Sequence, residues 1–425
     1  MPKYNTLTRE QLLELRAELS DRYEAAKSRK LNLNMSRGVP SPEQLSLSAA
    51  MFDMPSSVVE SVNGADCRNY GVPEGIPEAR RLMADIMELD AAQVFIGGGS
   101  SLNLMHDCLS FAVIHGLTRS EKPWGKLDSW KFLCPSPGYD RHFAITRELG
   151  AQLVTVGMNP EGPDMGEVEQ LVKDPAVKGI WCVPKYSNPQ GITYSDGTVR
   201  RIAALKPAAP DFIIMWDNAY AVHGLYPGRD TPLLNLMDEL IKNQSEHMAL
   251  FFASTAKITV AGGGISAVGA GEELMGWVKA HKAVQIICGD KLNQLRHARF
   301  LPDISAVYSH MEKHADILRP KFELMEEALG EIRDDGLARY EIPMGGYFIS
   351  LDLVHASAKR VVGLLSDIGV AMTPAGATFP YGIDPHDRNI RIAPTLPAQD
   401  ELAAAARMLC LCVRLASVER ALENL

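Results

Sequence analysis

The chain predicts an α/β protein: a large domain with a mostly parallel, seven-stranded sheet between helices, plus a smaller α+β domain. Three observations lead there. Seven short runs (residues 93–96, 131–134, 153–156, 179–183, 212–216, 249–253 and 265–270) are mostly apolar, as strands covered on both faces are. Helical stretches separate most of them, and strand–helix alternation builds a parallel sheet. After about Gly271 the alternation gives way to longer helical stretches.

In chain order, residues 8–30 read as an amphipathic helix with Leu12, Leu15, Leu19 and Tyr23 at helical spacing and a capping box of Thr8 and Gln11. Residues 31–42 are irregular, with Arg37-Gly38-Val39-Pro40 as a loop signal. A second loop, 69–75, enters a helix over 77–88 whose first turn suits Pro77. Helices over 102–115, 141–149, 199–205 and 232–242 link the strands. Beyond 271, helices over 272–284 and 311–333 precede an antiparallel pair, 339–342 and 346–353, joined by Pro343-Met344-Gly345. A helix, short strands near 370–373 and 389–393, and a closing helix from about Ala398 complete the smaller unit. We expect residues 1–54 to join the small domain, 55–310 to form the large domain and 311–425 the small one.

Composition narrows the function classes. The 425 residues are 46% hydrophobic, enough for two domains. A net charge of −9 argues against nucleic acid or an anionic membrane as the main partner. No apolar run reaches the ~18 residues of a membrane span. The start, Met1-Pro2-Lys3-Tyr4-Asn5, lacks a basic-then-apolar leader pattern, so the expected compartment is the cytoplasm. Cys67, Cys108, Cys134, Cys182, Cys288, Cys410 and Cys412 form no CxxC pair and read as reduced core residues, not zinc ligands or disulfides.

The chemistry-bearing residues fall where the large domain's strands end, the edge at which open α/β sheets bind ligands. Gly97-Gly98-Gly99-Ser100-Ser101 joins a strand to a helix, where backbone amides and a helix N-terminus favour a phosphate. It is neither a full GxGxxG nor a P-loop with its lysine, and a mere tight turn is the other reading. After the next strand, Tyr139 could stack on a planar ring, and His142 lies within reach of the same place. Ser187-Asn188-Pro189-Gln190-Gly191 offers an amide donor in a fixed loop, although Asn-Pro-x-Gly by itself is a turn. Asp217 and Tyr220 end a strongly apolar strand, so the carboxylate needs a cationic or hydrogen-bonding partner. Last, an apolar strand runs into Ser254-Thr255-Ala256-Lys257 and then a glycine run, 262–264. A lysine desolvated there becomes an amine nucleophile or Schiff-base former; a plain surface lysine is the other reading of that stretch alone. Together these features supply an anion cradle, a stacking ring, a carboxylate, polar donors and an amine, the set that pyridoxal phosphate requires.

In this order, Asn188-Pro189-Gln190-Gly191, Asp217-Asn218-Ala219-Tyr220, Ser254-Thr255-Ala256-Lys257 and Asn389-Ile390-Arg391-Ile392-Ala393 resemble class I aminotransferases of the pyridoxal-phosphate fold type I. The resemblance runs from Gly38 to Arg391. Tyr70-Gly71-Val72-Pro73-Glu74-Gly75 and the stretch 290–296 are most similar to the aspartate aminotransferase subgroup called type Ic, related to the MocR regulators.

The resemblance implies a role for each residue. Lys257 forms the Schiff base and shuttles the proton. Asp217 pairs with the pyridinium, and His142 orients it. Asn188 and Tyr220 bond the phenolate oxygen, and Tyr139 stacks on the ring. Gly99, Ser100, Ser101 and Ser254 hold the phosphate, with Tyr70 reaching in from a second subunit of a homodimer. Arg391 takes the substrate α-carboxylate as a bidentate fork, and Gly38 lies in a segment that closes over the substrate. Aspartate and 2-oxoglutarate are the implied pair, exchanged by ping-pong aldimine and ketimine chemistry. Lys291, Arg296 and Arg37 are candidates for the distal carboxylate, Lys291 and Arg296 foremost.

One position departs from the family: a phosphate-binding arginine about eight residues after the lysine is replaced by Ile265. There are four competing readings. Ser254-x-x-Lys257 also fits penicillin-binding acyl-enzymes, but their SDN and KTG tripeptides do not occur. A transcriptional regulator would need a DNA-binding domain where residues 1–37 offer one helix. A lyase or decarboxylase, or a non-catalytic binder of the cofactor, could use the same constellation.

Overall fold

The structure is a computed structural model describing residues 3–55, 57–229 and 232–425; Met1 and Pro2 of the stretch read for a leader lie outside the described residues. Helix α1 (Arg9–Lys27) starts at the expected capping box, Thr8 N–H donating to Gln11 Oε1 at 2.8 Å and Gln11 N–H to Thr8 Oγ1 at 3.3 Å. Strand β1 (Leu33–Asn34), the short helix α2 (Pro42–Ser46) and helix α3 (Pro77–Met87) follow. The alternating region comprises β2 (Val94–Ile96), α4 (Ser101–His115), β3 (Lys131–Ser136), α5 (Asp140–Glu148), β4 (Gln152–Asn159), β5 (Gly162–Pro163), α6 (Met165–Leu171), β6 (Val177–Cys182), α7 (Asp196–Ala203), β7 (Ile213–Asp217), α8 (Leu236–Lys242), β8 (Ala249–Ser254) and β9 (Ser266–Ala270).

Strands β2 to β9 form one sheet in the order β2-β9-β8-β7-β6-β3-β4-β5. All seven strands expected for this sheet are there. The eighth, β5, has two residues, too few to leave an apolar pattern. From β8 through β7, β6 and β3 to β4 the pairing is parallel; β9 is antiparallel to both β8 and β2, and β5 to β4. Successive side chains take opposite faces. Ile180, Ile214, Trp216 and Phe251 pack in one apolar cluster with Val199, Ile202 and Leu240 of α7 and α8. Trp181, Ile213, Met215 and Phe252 pack in the other with Leu104 and Met105 of α4. Burial on both faces is why these strands carry no apolar–polar alternation.

Helices α9 (Glu272–Gln285), α10 (Lys291–Phe300) and α11 (Ile304–Asp334) come next. Helix α11 starts well before the expected 311 because Asp303 caps it, accepting from Ala306 N–H at 2.8 Å. Helix α8, expected from 232, starts at Leu236, where Asn235 is the cap. Then β10 (Ala338–Arg339), β11 (Ile349–Leu353), α12 (Ala358–Asp367), β12 (Val370–Ala371), β13 (Asn389–Ile392) and α13 (Gln399–Glu423) follow. Strand β11 pairs antiparallel with β10 and β13, while β1 pairs parallel with β12. Helix α1 packs against α13. All seven cysteines are free thiols, six of them buried. No helix of the described residues is long and apolar enough to cross a membrane.

Candidate active site

A cavity of about 730 Å³ opens where β3, β6, β7 and β8 end. Phe348, Thr373 and Arg391 line it from the β11–β13 side, and Ser36, Arg37, Gly38 and Val39 roof it. The roof sits close: a Cβ on Gly38 would fall 2.3 Å from the Phe348 ring.

Asp217, the last residue of β7, is buried at the cavity floor. Its Oδ2 lies 3.0 Å from His142 Nε2, while Oδ1 has no partner among the described residues. The His142 ring is fixed by stacking on Trp181, centroids 4.1 Å apart and planes 4° from parallel. A buried carboxylate oxygen without a donor is costly, so this one is set up for a donor arriving in the cavity.

Lys257 stands on a single turn after β8, made by Ile258 N–H and Thr259 N–H both donating to Thr255 O at 2.9 and 2.8 Å. Its amine reaches the cavity 5.0 Å from the Tyr220 ring centroid. Enclosure by protein pushes its pKa down, and the Asp217 carboxylate opposes that shift. Burial raises the Tyr220 phenol well above its ordinary value, helped by Tyr139, Tyr347 and Asp217, so the phenol stays a hydrogen-bond donor. Burial and then Asp217 push Tyr139 up to about 12; its ring meets His142 edge-on at 5.0 Å.

Arg391 is held on three sides. Nη1 donates to Asp140 Oδ1 at 3.1 Å and Asn188 Oδ1 at 3.3 Å, and Nε to Thr373 Oγ1 at 3.3 Å. The guanidinium lies 4.9 Å over the Phe348 ring, and Nη2 has no protein partner among the described residues. Because Asn188 Oδ1 accepts from Arg391, its Nδ2 is left as a donor toward the cavity.

The glycine-rich entrance to α4 is stitched down: Gly97 N–H donates to Ser266 O at 2.7 Å, and Ser266 N–H and Oγ–H to Gly98 O at 2.8 and 2.7 Å. Ser100 is the N-cap of α4 yet its hydroxyl makes no capping bond. The first amides of the helix and the hydroxyls of Ser100, Ser101 and Ser254 therefore face an open cavity wall, a natural anion seat. Ile265 turns away into the apolar core.

The sequence-predicted residues Gly38, Gly99, Ser100, Ser101, Tyr139, Asn188, Asp217, Tyr220, Ser254, Lys257 and Arg391 all line this one cavity, and His142 touches it through Asp217. Tyr70, Lys291 and Arg296 do not line it. Tyr70 is 76% exposed, and its carbonyl accepts from Lys291 Nζ at 3.1 Å. Sequence reasoning passed over Asp140 and Arg141, which line the cavity, and His223, a buried ring between Tyr220 and Tyr347. Their adjacency to Tyr139 and Tyr220 was the only signal.

A planar cationic heterocycle with an anionic tail fits these groups: Asp217 Oδ1 for its N–H, donors from Asn188 and Tyr220, Lys257 for covalent attachment, and the α4 amides for the tail. The comparisons with known proteins agree. Residues 7–424 match the family model described as aspartate amino-transferase. A putative aminotransferase of Mycolicibacterium smegmatis is 43% identical over 430 residues, covering 99% of both chains. The aspartate aminotransferase of Corynebacterium glutamicum is 41% identical over 406 residues, covering 95% of this chain and 93% of that one. The crystal structure of an aspartate transaminase from C. glutamicum superposes with a TM-score of 0.95 at 39% identity, covering 98% of this chain and 99% of that one. The chain thus belongs to the aspartate aminotransferase family, and is a pyridoxal-phosphate-dependent aminotransferase of fold type I acting on amino acids and keto acids.

Proposed function

We propose that the enzyme moves the amino group of a dicarboxylic L-amino acid, aspartate as the leading donor, to 2-oxoglutarate in ping-pong half-reactions. The observation that carries this reading is that Arg37, Arg141 and Arg391 share one cavity with Lys257 and Asp217. Arg391, with Nη2 free, suits the α-carboxylate. Arg37 or Arg141 then suits the distal carboxylate. Lys291 and Arg296, foremost in the sequence reading, would reach a site only across the interface of a homodimer, as would Tyr70.

Pyridoxal phosphate, when bound, supplies an electron sink for the charge left on the substrate α-carbon. The chain's own groups do the rest. Asp217 Oδ1 would hold the ring nitrogen in its protonated form, with His142 Nε2 keeping that carboxylate in place. Tyr220 Oη and Asn188 Nδ2 would donate to the ring oxygen, and Tyr139 would offer its ring for stacking. Ser100, Ser101, Ser254 and the Gly99 backbone would hold the phosphate. Lys257 Nζ, its pKa lowered by enclosure, would accept the α-proton and return it.

The test is a panel of amino donors followed by the cofactor's half-reaction spectrum and by steady-state assay with 2-oxoglutarate. Aspartate should convert the cofactor to its amine form and yield the oxo acid in equal amount. Pyruvate and ammonia in its place would assign a lyase, and no conversion with any donor would sink catalysis. Arg37→Met and Arg141→Met should between them lower the aspartate-over-alanine preference by about 10–100-fold, the loss of one charged hydrogen-bond set. An unchanged preference in both would return the role to Lys291 and Arg296.

A further inference from the structure

A guanidinium carries its N–H groups on a fixed fork, and most of those on Arg391 are already given away within the chain. Nε donates to Thr373 Oγ1 at 3.3 Å, and Nη1 donates to both Asp140 Oδ1 at 3.1 Å and Asn188 Oδ1 at 3.3 Å. A carboxylate bound as a bidentate fork takes two neighbouring nitrogens, Nε with Nη2 or Nη1 with Nη2. Each pair includes a nitrogen that already has a partner. A forked substrate carboxylate must therefore displace one of the three side chains that hold Arg391.

Those three differ in how easily they leave. Thr373 is buried, and its own hydrogen goes to Ser36 O at 2.9 Å, which pins it between the cavity roof and the guanidinium. Asn188 is also buried, and turning its amide over would set its NH2 against the N–H groups of Arg391. Asp140 is the first residue of α5 and lies on the cavity wall. Its side chain is 35% exposed, and Arg391 is the one group its carboxylate bonds among the described residues. A side-chain rotation, with no backbone movement, hands that carboxylate to water. The first turn of α5 favours a negative charge wherever the side chain then points. Asp140 is also the one charged holder, so an incoming carboxylate replaces like with like. The buried Arg391 is then paired before the exchange and after it, and no uncompensated ion is left behind.

We propose that Asp140 is a further determinant of substrate binding, an internal competitor whose carboxylate holds the Nη1 edge of Arg391 that the substrate α-carboxylate takes over. This rests on Arg391 being the α-carboxylate site. Binding is then an exchange of one carboxylate for another, and affinity reports the difference between them. Asp140 keeps Arg391 aligned and paired, and it lowers the affinity of every ligand that uses the fork.

The test uses the holoenzyme and succinate, a dicarboxylate with no amino group to react, with Kd read by calorimetry. Asp140→Asn keeps the size of the side chain and an oxygen acceptor but gives up the charge. It should bind succinate about three- to tenfold more tightly, the scale of one hydrogen bond to a charged group. A substitution that merely damaged the site would act in the opposite direction. In an Arg391→Gln background, Asp140→Asn should change Kd by less than about twofold, since two residues that act through one contact are not additive. A looser Kd in Asp140→Asn would overturn the proposal and make Asp140 a buttress of Arg391. An unchanged Kd would overturn it too, leaving the carboxylate on Nη2 beside an undisturbed Asp140. Tightening that persists without Arg391 would reduce the effect to cavity charge and equally sink the exchange. Failure of the underlying assignment looks different: Arg391→Gln alone would then leave succinate affinity unchanged.

Discussion

The two ends of the cavity are built from different materials. At the ring-nitrogen end, side chains do everything: Asp217 is backed by His142, His142 by Trp181, and Lys257 and Tyr220 stand opposite. At the phosphate end the proposed seat is backbone and hydroxyl, with Ile265 where the family resemblance implies an arginine. Ile265 is 2% exposed; its N–H donates to Thr255 Oγ1 at 2.9 Å, and Thr255 N–H to its carbonyl at 2.8 Å. The glycine run before it is clamped rather than loose, Asn293 Nδ2 donating to Gly263 O at 2.9 Å and Gly264 O at 3.1 Å. Gly264 is close-packed because a Cβ there would lie 3.0 Å from Ala256 N. One end depends on which side chain is present. The other depends on the path the backbone takes.

The comparison is broken most sharply at Asp217. Asp217→Asn should lower kcat about 10²–10³-fold, the scale of losing one electrostatic partner of developing charge in an enclosed site. It should also act on Lys257. Enclosure lowers that amine's pKa and the Asp217 carboxylate opposes the shift, so removing the carboxylate lets the pKa fall further. The pH dependence of amine-reagent labelling of Lys257 in the apoprotein reads this directly, and a midpoint moved upward would contradict the placement.

The same division decides what was legible in the sequence. Ring-end residues announce themselves because a carboxylate ending an apolar strand, or a lysine after one, is chemically out of place at Asp217 and Lys257. The expected strands emerged for a related reason: burial on both faces leaves runs without polar residues. Helix starts at Ile304 and Leu236 were missed because the caps Asp303 and Asn235 look like ordinary loop residues until their side chains bond the first amides. Arg141 and Asp140 were passed over because a charged residue at the start of a helix is usually solvated. In the sequence Ile265 shows only as a departure from the family pattern. Its direction is set by antiparallel pairing of β8 with β9, Ser254 facing Ser266, which a linear motif does not encode.

Ile265→Arg sharpens that last point. Were position 265 a cavity position that had lost its cation, the arginine would tighten cofactor binding. Since the side chain lies in the core with Ile258 and Ala253 as members of the same cluster, it would bury an unpaired charge. The expected result is a loss of about 3–5 kcal/mol in denaturant unfolding of the apoprotein, the scale of an uncompensated buried ion, with no gain in affinity.

The smallest effect belongs to the hydroxyls of the phosphate end, and it tests whether that end works as described. Ser254 ends β8 with its side chain on the cavity wall and no protein partner among the described residues. Ser254→Ala therefore removes a donor without orphaning an acceptor, and apoprotein stability should stay within about 0.5 kcal/mol of the natural protein. Cofactor affinity, by contrast, should weaken about tenfold, one hydrogen bond to a charged group. Ser100→Ala should do the same, and the two losses should add because the hydroxyls belong to different elements with no shared protein partner. Equilibrium dialysis of the cofactor against each apoprotein measures both. Losses below about twofold in the double variant would place the whole grip on the amides of α4, and the phosphate end would then depend on backbone alone.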